Sequence, residues 1–225
     1  MATTQLTSFL HLHEIFAERY MNTSPYVFRG LCDVSYKLIP KVGRFKRFSF
    51  KLEREILYQF KRYAYPFLEN KLENDWEWLA TAQHHGLPTR LLDWSSNPLV
   101  ATFFACEGDV KTDSAIYALN AYWIVDPSRM RSPFKISDIE IFQPANITKR
   151  IAAQGGHFTV HPNPTEALDR RTIQKYVIPN ELRKEFQVAL YNYGIHRGTL
   201  FPDLDGQAQM IEWQVKTNVE GWTKR

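Results

Sequence analysis

Apolar positions recur at helical spacing early in the chain and at strand spacing late in it. Phe9, Leu12, Ile15 and Phe16 share one face of a helix predicted over Leu6 to Tyr20, with Thr7 as its N-cap. Tyr26-Val27-Phe28 is aromatic and β-branched after Pro25, and reads as a strand ending at Arg29-Gly30. Leu52, Ile56 and Phe60 are spaced by four, which predicts a helix from Ser49 to Tyr65, stopped at Pro66. A further helix, about Glu73 to His84, ends at Gly86, where a left-handed cap fits. After Pro88 the stretch Thr89 to Trp94 reads as a buried strand. Asn97-Pro98 then opens a helix with an N-cap residue followed by Pro at the first position. That helix, Pro98 to Cys106, is apolar on nearly every side and therefore belongs at the centre of the molecule.

Strand-like segments follow at Ala115 to Asn120, Tyr122 to Val125, Gly156 to His161 and Thr172 to Ile178. Asn180 is placed to cap a helix running to Tyr193, with Gly194 as its stop. The tail from Gly206 to Val219 fits helix, then helix or strand. No repeat, low-complexity tract or linker interrupts the chain. The pattern predicts a single α+β domain: a helical N-terminal part over about 1–86, a β-rich core over about 87–206 and a C-terminal extension over about 207–225.

Composition narrows the class. Apolar residues make up 44% of 225 and aromatics 14%, enough for a packed core. The charge of +4, from 28 basic and 24 acidic residues, permits a polyanionic partner without demanding one. Cys32 and Cys106 lack zinc spacing and read as reduced thiols of an intracellular protein. His11, His13, Glu14 and Glu18 within the first apolar run argue against a secretory signal, and no apolar stretch reaches the roughly 20 residues a membrane helix needs. The expectation is a soluble, cytoplasmic protein with no membrane contact.

The densest polar stretch is Gln83-His84-His85-Gly86-Leu87-Pro88-Thr89-Arg90-Leu91-Leu92-Asp93-Trp94-Ser95. A core needs none of its charged groups, so it is predicted to wall a site. Arg29, at a strand end before Gly30, offers a planar fork to a phosphate or carboxylate; a structural ion pair would use the same fork. Gly30 would let a ligand approach the backbone. A neutral His84 or His85 could hold a ribose hydroxyl or carry a proton, or simply favour a helix end. Adjacent on a helix, the two face apart, so no metal is expected there. Asp93 needs a partner such as Arg29 or Arg90. Trp94 could stack on a heterocycle or lie in the core. Gln154-Gly155-Gly156 is a turn without a phosphate-loop pattern. Asp203 and Asp205 place two carboxylates on a loop, and either could N-cap the helix that follows. The cations from Lys41 to Arg54 fit a solvated helix face or a polyanion contact.

Taken together these residues resemble the FRG domain family. The resemblance rests on Phe28-Arg29-Gly30, on the run Gln83 to Trp94, on Asn97-Pro98-Leu99, on Arg150 to Phe158 and on Leu200-Phe201-Pro202-Asp203-Leu204-Asp205-Gly206. It spans roughly residues 26–206. The family itself looks like a distant relative of ADP-ribosyltransferases, which implies a central, mostly antiparallel, split β core packed by helices. In that comparison Arg29 matches the Arg that ends the first core strand, and Ser95 or Thr89 the hydroxyl on the second. The turn Ile151 to Gly156 has no Gln-x-Glu or Glu-x-Glu; Gln154 stands in that place, and Asp203 or Asp205 would supply the carboxylate.

The resemblance implies an enzyme with NAD as substrate and no metal. The catalytic set would be Arg29, His85, Asp203 and Asp205. The NAD contacts would be Arg29, Gly30, His84, His85, Thr89, Arg90, Asp93, Trp94, Ser95, Gln154 and Phe158, with Trp94 or Phe158 walling the nicotinamide. The acceptor could be a protein side chain, a nucleic-acid base or water. The setting implied is a bacterial toxin, phage-defence or prophage effector, with a neutralising partner. The alternative is a non-catalytic nucleotide- or nucleic-acid-binding module using the same pocket. A metal-independent nuclease using His85 and Asp93 is a third reading.

Overall fold

The computed structural model describes residues 1–21, 25–68, 71–130, 132–144 and 148–219. Among these residues seven strands form one mixed sheet: β1 (Ala2–Gln5), β2 (Tyr26–Leu31), β3 (Leu91–Ser95), β4 (Ser114–Asn120), β5 (Glu140–Phe142), β6 (Gly156–Val160) and β7 (Gln174–Ile178). Their order is β1-β7-β4-β2-β3-β6-β5. Only β1 and β7 run parallel; the other neighbours are antiparallel. Among the described residues eight α-helices accompany the sheet: α1 (Phe9–Tyr20), α2 (Phe50–Ala64), α3 (Asp75–His84), α4 (Pro98–Cys106), α5 (Lys149–Ala153), α6 (Arg183–Asn192), α7 (Arg197–Leu200) and α8 (Leu204–Thr217). The expected α+β class is what the chain adopts.

Strand alternation decides which helix covers which face. Phe28, Ile116, Ala118 and Tyr176 pack with α1, α4 and α6 through Phe9, Phe16, Ala101 and Phe186. Their neighbours Val27, Ala115 and Tyr117 pack on the other face with Leu38, Leu168 and Ile173 from loops. At the far end of the sheet, Leu91, Phe158 and Val160 lie against Leu57, Trp76 and Leu79 of α2 and α3. Each Val, Leu, Ile or Phe among them contributes about 1.5–3 kcal/mol when fully buried.

Two contacts position the site. A Cβ on Gly30 would lie 1.9 Å from the Ala101 carbonyl oxygen and 2.4 Å from the Ala105 nitrogen. Gly30 is therefore what lets α4 lie directly on β2. Secondly, β2 and β3 share one registered pair, Phe28 with Ser95. On the Arg29 side of that pair the ladder is not continued, and the sheet opens.

Several expectations shift. The first helix is capped by Ser8, whose hydroxyl accepts from His11 N, rather than by Thr7. β1 adds an unexpected strand to the first 86 residues, beside the expected one at β2. Tyr122 to Val125 makes no strand. Only Ile124 bridges Ile141, and the rings of Tyr122 and Trp123 face solvent, so the apolar run has no sheet face to bury against. Asn180 opens a short 3₁₀ turn, and α6 starts after Leu182. The tail is a helix, with Asp203 accepting from Gly206 N as its cap. Among the described residues, no helix is long and apolar enough to cross a membrane.

Candidate functional site

Where β2 and β3 part, a cleft of about 660 Å³ opens against α4. Five segments bring polar side chains to it: the end of β2, the loop holding Tyr36, Lys41 and Arg44, the turn after α3, β3 with Asp93, and α5. The size suits a nucleotide-scale ligand.

Arg29 sits at the bottom. Its Nη1 donates to the Asp93 carbonyl oxygen at 2.5 Å, taking an acceptor the ladder leaves open, and lies 3.6 Å from the Asp93 carboxylate. Its side chain is only 15% exposed, and its Nε is buried without a partner. Burial lowers the Arg29 pKa, against the opposing pull of Asp93. Asp93 itself is 59% exposed and projects into the cleft, where Gln83 Nε2 donates to both of its oxygens at 3.0 and 3.1 Å.

His84 and His85 line the cleft together with Lys41, Arg44 and Tyr36. Their rings meet edge to face at 4.9 Å. Burial pushes His84 down to about 4, with His85 and Arg150 adding to the effect, so it is a neutral imidazole at pH 7. Its Nδ1 lies 3.4 Å from the Thr148 hydroxyl at the start of α5. Gly86 adopts φ +84°, the left-handed turn the sequence predicts. Its carbonyl accepts from Lys41 Nζ at 3.0 Å, which draws that cation to the rim. Arg150 closes the third side. Burial lowers its pKa, Asp93 opposes that, and its guanidinium stacks over Phe201 at 4.3 Å.

The predicted site residues thus divide. Arg29, Gly30, His84, His85, Asp93, Trp94, Ser95 and Gln154 all border the cleft. Within that group, three do something other than expected. The space above Gly30 is filled by α4, not left for a ligand. Trp94 is 2% exposed, with its Nε1 donating to the Thr159 hydroxyl at 2.9 Å, so its ring belongs to the core. Ser95 Oγ donates to the Gln154 carbonyl at 2.6 Å and accepts from Asn97 N, which ties α5 to the start of α4.

The remaining candidates lie elsewhere. Arg90 is buried in a two-pronged pair with Glu53 of α2, at 2.8 and 2.5 Å, and stacks over Phe134 at 4.6 Å. A buried guanidinium must have its donors paired, and Glu53 satisfies Arg90 before any ligand could. Thr89 Oγ1 is buried, donating to Gln83 Oε1 at 2.6 Å and accepting from Leu91 N. Phe158 stacks on Phe142 in the core. Asp203 caps α8, Asp205 sits exposed in that helix's first turn, and neither lines the cleft. Asp203 reaches the site only as a distant charge that raises the Arg150 pKa.

Sequence reasoning left Gln83, Tyr36, Lys41, Arg44 and Arg150 out of the site. Gln83 and Arg150 stood inside the motifs without assigned roles. Lys41 and Arg44 were part of a cation run whose default is a solvated face, and nothing local says that it folds over Gly86.

The architecture is a mixed-sheet α+β domain whose cleft lies between two diverging strands. Residues 24–114, which hold β2, α2, α3, β3 and α4, match the model of the FRG domain. Arg150 and Gln154 complete the cleft from outside that segment. No curated protein and no solved structure matches the chain.

Proposed function

We propose that the cleft binds NAD and that the domain is an ADP-ribosyltransferase. The observation that carries this reading is the charge of one cavity: Arg29, Lys41, Arg44 and Arg150 face it, against a single carboxylate, Asp93. An excess of cations suits the pyrophosphate, and Arg29 has a buried donor to spare. The neutral His84 suits a ribose hydroxyl. The carboxylate role passes from Asp203 and Asp205 to Asp93, which is exposed yet held by Gln83. As the ribose–nicotinamide bond breaks, its electron pair leaves with nicotinamide, and Asp93 stabilises the positive charge left on the sugar. The acceptor then bonds to ribose C1′ and gives up its proton, with His85 at the mouth to receive it. Two unpaired thiols agree with a cytoplasmic setting. An effector of this chemistry would need a neutralising partner in its own cell.

The test uses NAD labelled in the nicotinamide ring. The wild-type chain should release labelled nicotinamide. Asp93→Asn should keep NAD affinity within a few-fold while turnover falls by about 10²–10³, the usual loss when one charge-stabilising group is removed. A cleft that neither binds nor cleaves NAD ends this reading. Saturable nucleotide binding without release would favour the non-catalytic module, a reading supported by the partners Asp93 already has in Gln83 and Arg29.

A further inference from the structure

Between Lys41 and Phe67 eight Lys and Arg stand against two Glu, a surplus of six in a chain whose total is +4. The basic bias of the protein therefore belongs to this segment alone. One of the two Glu, Glu53, is buried against Arg90 and returns no negative charge to the surface. The same stretch carries the exposed rings. Of ten exposed Phe, Tyr and Trp among the described residues, six fall between Lys41 and Phe67, and a seventh, Tyr36, lies just before them.

On α2 the two features interleave. Lys51, Arg54, Tyr58 and Arg62 recur at spacings of three and four, one outward stripe opposite the buried Glu53 and Leu57. Arg62 lies over the rings of Tyr58 and Tyr63, at 5.9 and 6.0 Å. The chain leads from the stripe through the exposed Phe45 to Arg44, a wall of the cleft.

We propose that this face binds single-stranded nucleic acid and leads it to the cleft as the acceptor. Cations at this spacing pair with phosphates, and exposed rings between them stack on unpaired bases. A duplex hides its base faces and would use only the cations. An acidic protein would leave the rings without a matching partner. The strand's binding stands on this surface alone; its fate as acceptor rests on the transferase reading. In that step ribose C1′ bonds to a base nitrogen or oxygen as nicotinamide leaves, and the base proton passes to His85 and from there to solvent.

The experiment is fluorescence anisotropy of the full chain with a labelled, mixed-sequence single strand of about 20 nucleotides, the length of one or two stacking sites, and with its duplex. The single strand should bind saturably at about 50 mM salt, with log affinity falling linearly as log salt rises. The duplex should bind about tenfold more weakly, since it offers no base for stacking. The variant Lys51→Ala/Arg54→Ala/Arg62→Ala should lose about two units of salt slope, from three lost phosphate contacts. The variant Phe50→Ala/Tyr58→Ala/Tyr63→Ala should lose about tenfold in affinity with the slope unchanged. All six positions are exposed, and both variants should keep the wild-type melting temperature and NAD release. Equal binding of duplex, tighter binding to anionic lipid vesicles, or wild-type affinity in either variant would overturn the proposal. With adenylate-labelled NAD, label should pass to the strand. Strand binding without nicotinamide release sinks the transferase reading and spares the surface; nicotinamide release without strand binding sinks the surface alone.

Discussion

Arg29 and Arg90 stand beside similar strand ends and do opposite work. Both are buried guanidiniums with a carboxylate near them. Arg90 meets both oxygens of Glu53 and two backbone carbonyls, so little donor capacity remains. Arg29 has one backbone bond, one looser carboxylate contact and a buried Nε without a partner. The difference is set by a residue 37 positions from Arg90, which no local pattern announces. Removing Glu53 alone should strand the Arg90 charge in the core. We expect Glu53→Ala to lower unfolding free energy by about 3–5 kcal/mol in urea titrations, and Glu53→Leu/Arg90→Met to lose much less. A loss under about 1 kcal/mol for Glu53→Ala would mean that the pair behaves as a surface pair.

Two histidines carry a pH signature at the same scale. Burial drives His84 to about 4 and His161 to about 3, both below the usual 6.5. Above pH 6.5 each ring is neutral whether the chain is folded or not. As pH falls from 6.5 towards 4 and 3, the unfolded chain takes up protons that the folded chain refuses, so stability is lost across that window. The urea midpoint should be lower at pH 5 than at pH 7, and the drop should shrink in His84→Gln. An unchanged drop in that variant would mean that His84 titrates normally in the fold.

At the scale of elements, the long amphipathic and capped segments were legible. α2 and α4 begin where Ser49 and Asn97 cap them, because an N-cap and an apolar face are both local signals. β1 and β5 were not legible. Ala2–Gln5 is polar and almost wholly exposed, and it is a strand only because β7 offers it an edge. Asp203 illustrates the same limit in reverse: its cap on α8 is local, whereas its distance from the cleft is not. The contact of α4 with β2 hangs on Gly30, at φ values that do not require glycine but with no room for a methyl group. Gly30→Ala should push α4 off the strand, costing about 1–3 kcal/mol as overpacking does, and should weaken nucleotide binding as well. A variant with wild-type melting temperature and affinity would show that α4 adjusts freely and is not the rigid back of the cleft.

Across the whole molecule, seven strands are held as one sheet, yet β2 and β3 meet in a single registered pair. On one side lie β1, β7, β4 and β2, tied by long registers; on the other, β3, β6 and β5. The cleft lies at that junction, and the Arg29 bond to the Asp93 carbonyl crosses it. Neither strand's sequence reveals this. Val27-Phe28 and Leu91-Leu92 read as ordinary buried strands, and the gap exists only because the two diverge beyond Phe28 and Ser95. Backbone amides at such a seam have fewer ladder partners, so they should open at lower free energy than those of β4, which is paired on both sides. A ligand that reaches Arg29 on one strand and Asp93 on the other would clamp the seam, with a gain set by its concentration over its Kd. Hydrogen exchange read by mass spectrometry should therefore show peptides over 26–31 and 91–95 exchanging faster than 114–120 in the free chain, then slowing when NAD is added, with 114–120 little changed. In Arg29→Ala the slowing should vanish. If NAD instead protects the α6 to α8 region and leaves the seam untouched, the ligand does not sit between the two halves of the sheet.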